Sequence, residues 1–168
     1  MSELLKVPTM AEFMAAGKKP EVLFWVGCAG SFDDRAKKIT KAFVKILNKS
    51  NVEFAVLGTE ESCTGDPAKR SGNEFLFQMQ AVMNIEVLNA YEIKRIVTCD
   101  PHSFNCLKNE YPSLGGTYDV VHHTQYIEEL MNSGRLSIEG NTYKGCLYTH
   151  LRAQETPEHL VCRLLLEK

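Results

Sequence analysis

The chain has 168 residues with a formal net charge of -2, a size at which folding buries roughly 70% of the chain surface, so one domain over residues 1–168 is expected. So balanced a charge leaves no basic face for a phosphate backbone and argues against nucleic acid. No apolar run nears the ~18 residues of a bilayer span, and Met1 to Lys19 mixes Glu3, Lys6, Pro8 and Glu12 with apolar side chains, unlike a secretory leader; the expected location is the cytoplasm.

Thr9-Met10-Ala11-Glu12 has capping-box spacing and Gly17 follows as a stop, which predicts a short helix ahead of the first strand. Val22 to Val26 is a continuous apolar run, the pattern of a strand covered on both faces, and Gly27-Cys28-Ala29-Gly30-Ser31 reads as a loop. Asp33 opens a helix with Ala36, Ile39, Phe43, Ile46 and Leu47 as its apolar face. Phe54 to Leu57 is a second strand, running into a loop over Gly58 to Pro67. In the long helix that follows, Phe75, Leu76, Met79, Val82, Met83 and Val87 keep helical spacing and are read as its core stripe.

Arg95 to Thr98 forms a third strand, and a helix after it runs to Tyr111 and stops at Pro112. Val120 and Val121 lie in a fourth strand, His122-His123-Thr124 leads into a helix ending at Gly134, and Ile138 to Thr142 reads as the turn of a small hairpin spanning about residues 136–149. A last helix from Thr156 carries Leu160, Leu164 and Leu165 on its apolar face. Strand and helix alternate, so the expected fold class is α/β, with a mostly parallel sheet of at least four strands and helices on both faces.

Six cysteines in a reducing compartment are more often ligands, redox groups or core thiols than disulfides. Cys28 and Cys63 are 35 positions apart, Cys63 and Cys99 are 36 apart, and each follows a strand. Loops at the carboxyl ends of parallel strands share one edge of the sheet, so these three thiols should lie on one side of the molecule. Cys28, Cys63, Cys99 and His102 have the composition of a Cys3His zinc site. His102 has an alternative role, as a helix N-terminal residue bonded to its own loop. Cys146 and Cys162 stand outside this set as core or surface thiols. Gly27 to Gly30 lacks the third glycine and the lysine of a phosphate-binding loop. Glu60 and Glu61 offer an acid and a base, although adjacent carboxylates on a loop are usually solvated.

Trp25-Val26-Gly27-Cys28, Glu60-Glu61-Ser62-Cys63-Thr64-Gly65-Asp66-Pro67, and Asp100-Pro101-His102-Ser103-Phe104-Asn105 with Lys108-Asn109-Glu110-Tyr111-Pro112 resemble the cysteine-rich CCG domain. That family includes heterodisulfide reductase subunits and related iron-sulfur oxidoreductases, and the resemblance covers about Val7 to Leu136. It implies a site where one Cys, then Cys-Cys-Gly, then Cys-Pro-His-Cys supply thiolates to a 4Fe-4S-type iron-sulfur cluster or, in some members, to zinc. By position the cofactor-binding residues are Cys28, Cys63, Thr64, Asp100 and Ser103, and the last three have lost sulfur. Cys99 and Cys106 are extra thiols close by, and His122-His123-Thr124 matches a family segment that orients a loop.

The family usually carries two such domains. The second should open with His-Asp-Pro-Cys-Tyr after Tyr148-Thr149-His150, where this sequence has Leu151-Arg152-Ala153-Gln154. The resemblance implies an electron-transfer module of a heterodisulfide-reductase-like oxidoreductase, with an impaired cluster site and with other redox subunits or a second copy as partner. Zinc or no metal is the other outcome for the site, and a metal-free structural or interaction subunit is the other reading of the chain.

Overall fold

In the computed structural model, which describes residues 5–137, four parallel strands stand in the order β2-β1-β3-β4. They are β1 (Val22–Trp25), β2 (Phe54–Ala55), β3 (Arg95–Thr98) and β4 (Asp119–His122). Leu23 lies beside Ala55 on one side and Ile96 on the other, and Val97 beside Val121. Each connection carries helix, as a parallel pair requires: α2 (Gly27–Phe32) and α3 (Asp34–Lys49), then α4 (Asp66–Arg70) and α5 (Glu74–Ala90), then α6 (Pro101–Asn105). The amino-terminal α1 (Met10–Ala15) has the expected Thr9 capping box, and α7 (His123–Asn132) follows β4. Among the described residues no helix is long and apolar enough to cross a membrane.

The side-chain alternation of β1 divides the core in two. Leu23 and Trp25 point to a cluster with Phe77, Ala81, Ile85 and Leu88 of α5, whereas Val22 and Phe24 point to one with Phe43 and Leu47 of α3 and Tyr126 and Leu130 of α7. Helices therefore cover both faces, which is why the strands read as unbroken apolar runs.

Four expectations are corrected in detail. Residues 27–31, read as loop, lie in the short helix α2. The buried side of α3 is Phe43, Val44 and Leu47, while Ile39 is 46% exposed. The helix after β3 does not stop at Pro112: α6 passes into a π-helical turn over Cys106–Glu110 and a 3-10 turn over Tyr111–Leu114 that contains the proline, and the run closes at Gly115. A proline in the first turn of a 3-10 segment removes no hydrogen bond that the segment needs.

The largest correction concerns α5. Of the expected core stripe, Phe75, Leu76, Met79, Val82 and Met83 are exposed and Val87 alone packs against the core, half-buried; the helix buries Phe77, Ala81, Asn84, Ile85 and Leu88 instead. Apolar residues surround this helix, so spacing alone supports two stripes, and a polar residue marks the inner one. Asn84 is buried because it bonds to the loop that carries Cys63. The expected hairpin, Cys146, Cys162 and the helix from Thr156 lie outside the described residues.

Candidate functional site

The carboxyl ends of β1, β2 and β3 bring three segments together. At the first, the chain turns at Gly27, whose φ is +76°, directly before Cys28. A Cβ there would meet Asp100 Oδ2 at 2.8 Å and Ser103 Oγ at 3.1 Å, so the missing side chain makes room for the third segment. At the second, Glu61 reaches back across the sheet edge, and its carboxylate accepts the backbone N–H of Gly27 at 2.6 Å and that of Val26 at 3.0 Å. Burial pushes the Glu61 carboxyl up to about 7, with the negative charge of Asp100 adding to the shift and the two backbone donors opposing it. Glu61 is therefore not the solvated loop carboxylate expected of it. Its neighbour Glu60 is exposed and accepts the Tyr91 hydroxyl.

Cys28 and Cys63 lie side by side. Cys28 is exposed and Cys63 partly so. The Cys28 thiol is pushed up to about 11, first by burial of its inner side, then by the charge and hydrogen bonding of Cys63, then by Asp100 and Glu61. The Cys63 sulfur accepts the backbone N–H of Gly65 at 3.5 Å. A cleft of about 490 Å³ opens beside the two thiols, with the 81% exposed Phe32 on its lining. A larger groove of about 610 Å³, lined by Lys6, Phe13, Lys18, Asn51 and Glu53 among others, has no cysteine or histidine on its walls and offers no such chemistry.

A buried network fixes the Cys63 loop. Asn84 donates to the Cys63 carbonyl at 3.0 Å and to the Tyr111 hydroxyl at 3.0 Å, and accepts the Ser62 hydroxyl at 2.7 Å. The Tyr111 hydroxyl in turn donates to the Thr64 carbonyl at 3.2 Å. Tyr111 belongs to a quoted family motif, but Asn84 was not singled out from the sequence, although an Asn in the middle of an apolar helix is itself a signal, because a buried amide must find partners.

The third segment holds two of the three family positions that lack sulfur. Asp100 caps α6, accepting the backbone N–H of His102 at 3.1 Å and the Ser103 hydroxyl at 2.6 Å. Both side chains are thus engaged with each other and the helix end, next to Gly27. Thr64 is buried. His102 stands in the first turn of α6 with its backbone N–H bonded to Asp100 of its own loop, while its side chain reaches α4, Nδ1 lying 2.9 Å from Asp66 Oδ2. Asp66, itself buried, also takes the Arg70 Nε at 2.8 Å and the Cys106 thiol at 3.7 Å. His122 Nδ1 lies 2.8 Å from Thr124 Oγ1 at the start of α7, in keeping with loop orientation.

Cys99 packs against the core on the α3 and α7 side of the sheet, while Cys106 is buried in the α5 core. Burial pushes both thiols up to about 12, with Asp100 adding to Cys99 and Asp66 to Cys106. The structure therefore joins Cys28 to Cys63 but does not gather Cys28, Cys63, Cys99 and His102. Among the described residues no three His, Cys, Asp or Glu side chains are grouped as the ligands of one metal ion would be. A 4Fe-4S cluster needs about four thiolates. The five family positions hold two sulfurs, a buried threonine and an Asp-Ser pair bonded to each other.

Comparison with known proteins agrees with the resemblance in the motifs. The chain is 47% identical over 131 residues to the probable iron-sulfur-binding oxidoreductase FadF of Bacillus subtilis (strain 168), covering 78% of this chain and 19% of that protein. It is 48% identical over 120 residues to the EtfAB:quinone oxidoreductase of Syntrophomonas wolfei, covering 71% of this chain and 17% of that protein. Against one of the subunits of the dihydromethanophenazine:CoB--CoM heterodisulfide reductase of Methanosarcina barkeri the identity is 26% over 136 residues, covering 77% of this chain and 33% of that protein. The chain thus spans about a fifth of the first two relatives. No solved structure matches it. The model of the CCG cysteine-rich domain matches residues 22–108, the span from β1 through the Cys28, Cys63 and Asp100 segments, and the chain belongs to that family.

Proposed function

We propose that this chain is an electron-transfer module of a heterodisulfide-reductase-like iron-sulfur oxidoreductase, cytoplasmic and working beside companion redox subunits, whose own cluster site is impaired. The observation that carries this reading is the Cys28 and Cys63 pair at the carboxyl edge of the sheet, on the two family positions that keep sulfur. In this reading Cys28 and Cys63 bind zinc or a single iron, with further ligands drawn from Cys99 or His102 after a local rearrangement or from a companion chain. The relatives support it by name: one is an iron-sulfur-binding oxidoreductase and another is one part of a multi-subunit reductase.

A second reading, a metal-free structural or interaction module, is favoured by a specific observation. Asp100 and Ser103 satisfy each other as a helix cap rather than facing the pair as open ligands. Iron, zinc and acid-labile sulfide in the full chain purified without oxygen separate the two. Zinc or a single iron that disappears in Cys28→Ala supports the first reading. Metal-free protein with an unchanged circular dichroism spectrum supports the second. A full complement of four irons and four sulfides would overturn the impaired site.

A further inference from the structure

The two thiols are placed for a chemistry that needs no metal. We propose that Cys28 and Cys63 form a reversible intramolecular disulfide when a small disulfide oxidant reaches the cleft beside them. Two observations independent of each other bring the sulfurs together. The Cys28 and Cys63 side chains line the same cleft, near enough for Cys63 to act on the Cys28 thiol. Separately, the Glu61 carboxylate fastens Gly27, one residue before Cys28, to the segment two residues before Cys63. Bond formation asks for an S–S separation of about 2.05 Å between two segments that the Glu61 carboxylate already ties together.

Access favours this pair over the other thiols of the described residues. Cys28 is exposed and Cys63 partly exposed on an open cleft, whereas Cys106 is wholly buried and Cys99, partly exposed, packs against the α3 and α7 core and does not line that cleft. The sulfur of Cys63, which accepts the Gly65 N–H, is the attacking group. It loses its proton to water and attacks one sulfur of the oxidant R–S–S–R. The S–S bond of the oxidant breaks, and R–S⁻ leaves and takes up a proton as R–SH. Cys28 then gives its proton to water, attacks the Cys63 sulfur of the mixed disulfide and expels the second R–S⁻, which is protonated in turn. Two protein thiols are oxidised and one small disulfide is reduced to two thiols. Excess dithiothreitol reverses the reaction.

The test uses the full chain, reduced without oxygen, stripped with a chelator and incubated with oxidised glutathione before acid quenching and maleimide labelling. Because metal is absent throughout, the result is independent of the metal reading. The expected result is loss of two of the six labelled thiols, loss of two hydrogens in intact mass, and a Cys28–Cys63 crosslinked peptide that dithiothreitol removes. Cys28→Ser should instead trap a glutathione adduct on Cys63. Retention of all six thiols at an oxidant level that modifies Cys63 in Cys28→Ser would overturn the proposal, as would a crosslink that survives in Cys28→Ser.

Discussion

The carboxylate of Glu61 accepts the N–H of Gly27 at 2.6 Å, which fixes the end of β1 to the loop after β2 where each begins to carry a cysteine. The bond explains a carboxylate held largely out of water: its acceptors are spent on backbone donors that no strand or helix partner satisfies. Its energetic cost shows in the ionisation of Glu61, which burial and the nearby charge of Asp100 both disfavour.

Stability should therefore depend on Glu61 between about pH 4.5 and 7. In the unfolded chain the group ionises near 4.5, but in the fold only near 7, so the folded state binds the proton more tightly across that window. The contribution is fully present below about 4.5 and is lost as pH rises through about 7, on the order of 2 kcal/mol once partial exposure is allowed for. Urea denaturation of metal-free protein at pH 5 and pH 8 measures it. Glu61→Gln should flatten that part of the profile whatever it does to absolute stability; an unchanged slope would mean that another group titrates.

Asn84 should be among the costliest polar residues to remove. Asn84→Ala deprives the Cys63 carbonyl, the Ser62 hydroxyl and the Tyr111 hydroxyl of a partner at once. A loss of about 1–3 kcal/mol is expected, as for buried groups left unpaired. Cys63 should also react faster with iodoacetamide, because its loop is no longer held from within. Gln78→Ala, on the exposed side of the same helix, should stay within about 0.5 kcal/mol. Equal effects for the two variants would remove Asn84 from its positioning role.

The strands, their order of succession and the segments carrying Cys28, Cys63 and Asp100 were legible because parallel strands covered on both faces leave unbroken apolar runs. What stayed hidden depends on contacts between distant segments. Nothing local to Glu61 announces that its partners are the amides of Val26 and Gly27. Cys99 keeps the repeat spacing of the other two thiols, yet it packs on the α3 and α7 core, because it follows Thr98 directly and continues the alternation of β3, whereas Cys28 lies beyond the turn at Gly27. His102 is part of a motif, but its partner Asp66 lies on another helix.

The faces of α5 provide a direct check on core placement. Leu88 is fully buried and Met83 is 58% exposed, although both are large apolar residues of one helix. Leu88→Ala should cost about 2–5 kcal/mol, the range for a large aliphatic side chain removed from a packed core. Met83→Gln should change stability by no more than about 0.5 kcal/mol. Thermal and urea unfolding of the two variants decide it, and a large loss for Met83→Gln in the monomeric protein would restore the stripe that helical spacing first suggested.

The final prediction concerns the three family positions without sulfur. Asp100 Oδ2 and Ser103 Oγ crowd the space beside Gly27, adjacent to Cys28, and Thr64 follows Cys63 in the chain. Thr64→Cys, Asp100→Cys and Ser103→Cys together would therefore add three sulfurs around the existing two, enough for the four thiolates that a cluster requires. The change removes the Asp100 cap from α6, and the loss of such a cap costs about 0.5–2 kcal/mol, which a domain of this kind survives. After anaerobic reconstitution with iron and sulfide the triple variant should turn brown and hold iron and sulfide in equal amounts, while the unmodified chain treated alongside it should not. Adding Cys28→Ala to the triple variant should abolish the colour. A folded triple variant that stays colourless would show that the pocket, and not only its ligands, has been lost, and the metal-free interaction module would then be the better description of the chain.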